Sequence, residues 1–524
     1  MKTVFVLFDS LNRKAMECYG GSLAKTPNFA RFAERAVTFD THYVGSLPCM
    51  PARRDLHTGR LGMLHRNWGP LEPFDNSFPE LMKKKGIYSH LITDHHHYFA
   101  DGGATYHTRY SSWELVRGNG ADHWKAVVDP DLARYRRDYH PKQVRPYLTQ
   151  YMVNHDHIRE EKDFSCPQVF NHGIDFLKAN HAADNWFLQI ESFDPHEPFF
   201  APERFRAPYP SGYQGPIFDW PLYDRVDETP EAIAEVKANY AALVAMCDEY
   251  FGRLLDTFDE YDLWADTALV VSTDHGFLLG EHDWWGKNVM PVFDELARIP
   301  LMVYHPAHRE RGGERRESLT QTADLMPTFL EMHDLPVPTE VTGVSLLPLL
   351  AEEMHLHDAV IYGYFGAACN ITDGRYTWFC YPETMSAEGV YEYTLMPTRI
   401  HQRFPLEQLA GMSLHPPFDF TKGISTLRVR PNVTTSGEPA VLEGRSHLDT
   451  VSVLYDTSLD PGQSTPITDA AVEARLARSM AEIFGRLDAP TEMFARYGIE
   501  SGGRNFTAEG NANGLAGRWG MGEP

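Results

Sequence analysis

Four short apolar runs, at residues 4–8, 90–93, 186–191 and 268–273, limit the fold of this chain more than any other feature. Each run ends in polar or charged residues. A short apolar run without alternation predicts a strand buried on both faces. Helical patterns lie between the runs. Thr26-Pro27-Asn28-Phe29 opens one, with Thr as cap and Pro at the first position. Residues 233–258 form a long amphipathic stretch that leads into the run at 268. Strand–helix alternation predicts an α/β fold with a mostly parallel central sheet flanked by helices. Ligands of such sheets sit at the carboxyl ends of the strands. Asp9, Asp94, the segment 191–196 and Asp274-His275 all follow strand ends, so they are expected to converge.

The 524 residues suffice for one large domain with a smaller partner. A hydrophobic content of 43% supports a sizeable core. The formal charge of −24 disfavours nucleic acid, heparin-like polymers and anionic membranes as partners. A small anionic ester can still bind in a locally positive pocket. The opening apolar run is too short for a leader, and no stretch approaches the roughly 18 apolar residues of a membrane span. A cytoplasmic location is therefore expected. The cysteines at 18, 49, 166, 247, 369 and 380 are scattered, which argues against a disulfide framework or a zinc site.

Residues 1–355 read as the catalytic α/β domain. Within it, 100–165 is an insertion rich in Tyr, Arg, His and Trp with weak periodicity. Loops of that kind line active sites or oligomer contacts, so a homo-oligomer stays open. Residues 356–500 read as a smaller α+β subdomain, with strand-like runs at 359–365 and 375–381 and a helix at 470–487. Residues 501–524, rich in Gly and Asn, are expected to pack loosely.

The stretch Cys49-Met50-Pro51-Ala52-Arg53 carries the chemistry. Pro51 suits the first turn of a helix, and Gly59 stops one, so a helix is expected over 51–57. Cys49 then sits at a helix N-terminus, where free N–H groups favour an anion. Arg53 lies one turn in, able to fork onto substrate oxygens. By residue type alone Cys49 reads either as a buried thiol or as a low-pKa thiolate nucleophile. Asp9, Asp274 and His275 suit a divalent cation. Oxygen-rich sites favour Ca²⁺ or Mg²⁺, and the histidine also admits Mn²⁺.

The C-x-P-x-R pattern at 49–53, Thr58-Gly59-Arg60 after it, and Asp9 and Asp274-His275 at strand ends resemble the sulfatase family of the alkaline-phosphatase-like superfamily. The resemblance spans about residues 1–381. It implies that Cys49 is converted to formylglycine by a formylglycine-generating enzyme, and that the hydrated aldehyde is the nucleophile. It implies a divalent metal, Ca²⁺ as in most sulfatases, held by Asp9, Cys49, Asp274 and His275. The chain departs from many relatives at Ser10, where a second acidic residue is usual.

Residues 86–97 resemble a family strand that ends in Gly-Lys-Trp-His. In that register Asp94 replaces the lysine and His96 matches the histidine. His96 is then the implied base that breaks down the sulfated hydrate. Asp94 is expected to pair with Arg53 or Lys287, or to meet a cationic substrate group. Phe193-Asp194-Pro195-His196-Glu197-Pro198 looks like the family's Pro-His-x-Pro loop, which makes His196 the proton donor to the leaving alcohol. Lys287 matches a lysine on the leaving-group side of the sulfate, and Asn67 is a further substrate contact. Arg53 orients the aldehyde hydrate. The implied enzyme is a sulfatase acting on sulfate monoesters of small alcohols or phenols through a covalent sulfo-enzyme intermediate. The alternative is a phosphonate monoester or phosphodiester hydrolase with the same formylglycine and metal site, towards which Ser10 and Asp94 point.

Overall fold

Successive side chains of a strand point to opposite faces, and the first strand shows how both faces are covered. A computed structural model of the chain describes residues 1–383, 385–431 and 451–500. In β1 (Lys2–Phe8), Val4, Val6 and Phe8 pack with Tyr240, Val244 and Phe251 of the long helix Pro230–Glu260. Phe5 and Leu7 pack on the other side with Leu325, Met326 and Phe329. A sheet buried on both faces explains the unbroken apolar run of β1.

The central sheet comprises β1, β2 (Val37–Phe39), β3 (Tyr88–Thr93), β4 (Ser112–Leu115), β5 (Trp186–Ser192), β6 (Thr267–Thr273), β7 (Leu301–Tyr304) and β8 (Arg315–Arg316). Their spatial order is β8-β2-β7-β6-β1-β5-β3-β4. β1 lies parallel between β5 and β6, and β3 runs parallel to β5 and β4. Only β7 is antiparallel, to β6 and β2. The fold is therefore α/β with a mostly parallel sheet, as expected.

The helix entering β6 is longer than the periodicity indicates. Thr229 caps it, its hydroxyl accepting from the Ala232 amide at 3.3 Å, and Pro230 occupies the first turn. Pro230 and Glu231 are exposed, so they add nothing to the apolar stripe that marks the helix.

Residues 100–165 are more ordered than their composition suggests. They hold the helices Ala104–His107, Leu132–Asp138 and Thr149–His155 and contribute β4 to the central sheet. β4 is an edge strand with half-exposed side chains, so its sequence Ser-Trp-Glu-Leu lacks the buried-strand signature.

Smaller antiparallel sheets occupy the C-terminal region. One has the order β9 (Val360–Gly363), β10 (Cys369–Thr372), β11 (Tyr376–Phe379) and β15 (Val453–Asp456). The other sets β14 (Thr426–Val429) between β12 (Glu392–Thr394) and β13 (Ser413–His415). The helix Ala470–Arg486 packs Leu476, Met480 and Phe484 into the core that contains Ile361 and Ile371. The expected tail, 501–524, lies outside the described residues. Among the described residues no helix is long and apolar enough to cross a membrane.

Candidate active site

The carboxyl ends of β1, β5 and β6 lie side by side, so the residues that follow them meet. The Asp9 amide donates to the Ser192 carbonyl at 3.1 Å, and the Asp274 amide donates to the Phe8 carbonyl at 3.3 Å. Ser10 then takes the left-handed conformation, with φ of 60°. A non-glycine residue there is strained and is held by its surroundings. Its amide donates to Asp274 Oδ1 at 3.1 Å, and its carbonyl accepts from Tyr240 at 2.8 Å.

The helix Cys49–Thr58, here α1, delivers the fourth group. It begins two residues earlier than expected, so Cys49 is its first residue. Pro51 lies within the first turn, where its missing N–H costs no intrahelical bond. Gly59 ends the helix with φ of 62°, and its N–H donates to the Asp55 carbonyl at 2.8 Å. A Cβ there would approach Val341 to 2.7 Å. Every residue of α1 is buried.

Asp9, Cys49, Asp274 and His275 come together, with one potential ligand atom from each lying within 4.8 Å of the others. All four are buried. Cys49 Sγ is 3.2 Å from His275 Nε2. His275 Nδ1 lies 2.8 Å from the Gly276 carbonyl, which can only accept, so Nδ1 carries the proton and Nε2 presents a lone pair to the cluster. Two carboxylates, a bare imidazole nitrogen and the position-49 side chain make a donor set that fits a divalent cation. The electrostatics agree. Burial would raise Asp9, but Arg53, then His196 and Lys287, hold it well below the usual carboxylate range. Burial and the charge of Asp9 raise Asp274. A second anion in this site thus needs a compensating positive charge.

Burial, then the charge of Asp9, push the Cys49 thiol well above its ordinary range. This environment works against the low-pKa thiolate reading of Cys49.

Arg53 is wholly buried and clamps three carboxylates. Its Nε donates to Glu191 Oε1 at 2.7 Å, Nη1 to Asp274 Oδ2 at 2.5 Å and Nη2 to Asp9 Oδ2 at 3.0 Å. It was expected to fork onto substrate oxygens, and in this structure its fork is committed to acids. Glu191 was read as a strand end only. A charged residue in a buried strand needs a partner, and that was the available signal. Tyr98 also donates to Glu191 Oε2, at 3.0 Å.

Lys287 is only 3% exposed. Its Nζ donates to Ser10 Oγ at 2.9 Å and lies 3.8 Å from Asp9 Oδ1 and 3.6 Å from Glu197 Oε1. Ser10 Oγ in turn donates to Asp9 Oδ1 at 2.8 Å. His196 is buried beside Phe193, with ring centroids 4.0 Å apart, and its Nδ1 lies 2.5 Å from the Glu197 carbonyl.

The structure differs from the expected placements at His96 and Asp94. His95, not His96, faces the cluster: His95 Nε2 is 3.5 Å from Asp9 Oδ2, and the His95 ring is fully buried. The His96 ring lies against Gly120, where a Cβ would sit 3.7 Å from it, and 4.3 Å from the His97 ring. The turn after β3 rotates the neighbouring side chain outward, which a register drawn on sequence does not see. Asp94 pairs with neither Arg53 nor Lys287. It accepts from the Phe193 amide at 2.6 Å and from Asn119 Nδ2 at 3.1 Å. It ties the strand-end loops to the 100–165 stretch. Asn67 is engaged through its backbone: its carbonyl accepts from Arg54 Nη2 at 2.7 Å, and its amide donates to Glu392 Oε2 at 3.4 Å.

A family model described as Sulfatase matches residues 2–335, and one described as N-sulphoglucosamine sulphohydrolase, C-terminal, matches residues 280–402. The chain is 24% identical over 418 residues to an N-acetylglucosamine-6-O-sulfatase of Bacteroides thetaiotaomicron, covering 67% of this chain and 71% of the relative. It is 23% identical over 415 residues to an arylsulfatase of Clostridium perfringens, covering 72% and 85%. The solved phosphonate monoester hydrolase of Agrobacterium radiobacter superposes with a TM-score of 0.63 at 19% identity, over 93% of this chain and 95% of that one. A protein solved with its substrate D-glucosamine-2-N,6-O-disulfate gives a TM-score of 0.63 at 16% identity, over 94% and 99%. At these identities the two structures bear on the fold alone.

Proposed function

Because this chain belongs to the sulfatase family and is a sulfuric ester hydrolase, we propose that it acts on sulfate monoesters of small alcohols or phenols. The observation that carries this reading is the gathering of Asp9, Cys49, Asp274 and His275 within 4.8 Å, beside a buried Lys287 and His196. The reading includes conversion of Cys49 to formylglycine by a maturation enzyme, and a cytoplasmic location. Asp9, Asp274, His275 and residue 49 would hold the cation, which we assign as Ca²⁺. The formylglycine supplies a nucleophilic oxygen where the thiol would not ionise, and the cation supplies positive charge to the anionic ester.

The remaining steps fall to side chains. Arg53 fixes Asp9 and Asp274 in one geometry through two charge-assisted bonds. Lys287 offers positive charge on the leaving-group side. His196 keeps one proton on Nδ1, held by the Glu197 carbonyl, so in the doubly protonated ring it is the Nε2 proton that passes to the departing oxygen, leaving the neutral imidazole. His95 Nε2, beside Asp9, is the base for the return half of the reaction. The near-total burial of these groups excludes water and strengthens each interaction.

A second reading is favoured by Ser10, a neutral residue between Asp9 and Lys287 where many relatives carry another acid. It is a phosphonate monoester or phosphodiester hydrolase built on the same site. The deciding experiment compares kcat/KM on an aryl sulfate and an aryl phosphonate with the same phenol. It is paired with mass spectrometry of the peptide containing residue 49. We expect the sulfate to be preferred, and oxygen in place of sulfur at residue 49. Preference for the phosphonate selects the second reading. An unmodified thiol in fully active protein refutes both.

A further inference from the structure

Glu197 follows His196 in the sequence and is fully buried, yet no step above uses its side chain. A carboxylate without solvent must answer to something nearby. Three segments of the chain close around it. The first is its own loop, where Glu197 Oε2 lies 3.4 Å from His196 Nδ1. The second carries Lys287, whose Nζ is 3.6 Å from Glu197 Oε1. The third carries Tyr223, whose hydroxyl donates to Glu197 Oε1.

The last two segments are laced together. The Trp285 amide donates to the Asp224 carbonyl at 2.9 Å, and the Val226 amide donates to the Asp283 carbonyl at 2.9 Å. Gly286 has φ of 112°, and a Cβ there would sit 2.7 Å from the Tyr223 ring. Glycine at 286 therefore lets Tyr223 lie directly on the backbone beside Lys287. Among the described residues, Glu197 Oε2 has no hydrogen-bond partner of its own. One oxygen is thus fixed by Tyr223, and the other is left facing the Nδ1 edge of His196.

We propose that Glu197 is the positioning residue for the leaving-group side of the site: anchored by Tyr223, its carboxylate holds Lys287 Nζ, and its main-chain carbonyl holds the His196 ring, where the departing oxygen is protonated and its charge is met. This rests on the reading above that His196 and Lys287 serve the leaving group. Its physical basis is the pairing that a buried ammonium and a buried imidazole require. Lys287 is 3% exposed, and its Nζ meets Glu197 Oε1 at 3.6 Å in place of water. The His196 ring is held by its Nδ1 at 2.5 Å from the Glu197 carbonyl, with Glu197 Oε2 3.4 Å from the same nitrogen. Groups that orient a catalytic side chain in this way typically contribute about 10- to 100-fold.

The test uses the metal-loaded, matured enzyme and a series of aryl esters whose phenols differ in acidity. The ester is whichever of sulfate or phosphonate the wild type turns over faster. Glu197→Gln and Tyr223→Phe should each lower kcat/KM by about 10- to 100-fold on the poorest leaving groups and by less than about threefold on the best. Their combination with Lys287→Ala should lose less than the product of the separate losses, because they act through Lys287. Crystal structures of both variants should show Lys287 Nζ displaced from Ser10 Oγ. A uniform loss across all leaving groups, or an unmoved Lys287, overturns the proposal. A wild-type enzyme that turns over neither ester refutes the proposed function instead, and the displacement of Lys287 still tests Glu197.

Discussion

His95 Nε2 lies 3.5 Å from Asp9 Oδ2, while the adjacent His96 faces Gly120 of the 100–165 stretch, where a Cβ would lie 3.7 Å from its ring. Among the described residues neither ring nitrogen of His95 has a hydrogen-bond partner, and burial, then Arg53, hold its pKa well below the ordinary imidazole range. A neutral, unpartnered imidazole beside the metal candidates is suited to accept a proton. His95→Asn is expected to lower kcat by about 100-fold, and His96→Asn by less than about threefold. Steady-state kinetics on both variants decide the point, and the reverse ranking would return the base to His96.

Removal of the cation should abolish turnover, and added divalent ion should restore it. Asp274→Asn should weaken metal affinity by about 100-fold and turnover with it, since the site loses one of its two carboxylates. Calorimetric titration of the chelated protein with Ca²⁺ measures the first effect. Full activity in rigorously metal-free protein would remove the metal from the account.

His57 supplies a pH dependence separate from the site. It is buried in α1 against Phe78, Tyr106 and Tyr110, with Nδ1 2.9 Å from Ser77 Oγ. Burial, then Arg109 and Arg53, lower its pKa to about 3. Between about pH 6.5 and pH 3 the unfolded chain therefore holds a proton at this residue that the folded protein refuses. Stability falls as pH falls through that window. At pH 5 the loss relative to pH 8 is about 2 kcal/mol. Asp55 and Glu72, raised by burial to about 7, act in the opposite sense in part of that window. They cancel when wild type is compared with His57→Asn at each pH. Urea unfolding should show the wild-type advantage shrinking by about 2 kcal/mol between pH 8 and pH 5.

Asn119 is expected to matter more to stability than its place in the 100–165 stretch suggests. Its Nδ2 lies 3.1 Å from Asp94 Oδ2, 3.2 Å from Asp194 Oδ1 and 2.9 Å from Ser165 Oγ. Asn119→Ala leaves two buried carboxyl groups short of a donor and should cost about 2 kcal/mol. Asp194 is raised well above its ordinary range by burial, then by the charge of Asp94. Asp194→Asn should therefore be close to neutral. Denaturant midpoints of the two variants check this contrast.

The α/β architecture was legible because a strand buried on both faces is mostly apolar, as residues 4–8 and 268–271 are throughout, while β3 and β5 keep enough apolar residues to read as strands despite His90, Gln189 and Glu191. The metal candidates were legible for a related reason. Asp9 and Asp274 interrupt apolar runs at the ends of parallel strands, and parallel strands present those ends along one edge. β4 was not legible, because an edge strand with half-exposed side chains has no reason to be apolar.

Local sequence therefore determined which strands form, and that Cys49, Asp9, Asp274, His275, His196 and Lys287 lie on elements that can meet. Side-chain direction at the turns was decided only in three dimensions. A rotation of one residue after β3 chose His95 over His96 and sent Asp94 to Asn119. The commitment of Arg53 to three carboxylates, and of Glu197 to Lys287, His196 and Tyr223, likewise depends on segments far apart in the chain. The physical reason is that a buried charge takes its partner from whatever packing brings within about 4 Å, and that distance is a property of the tertiary structure.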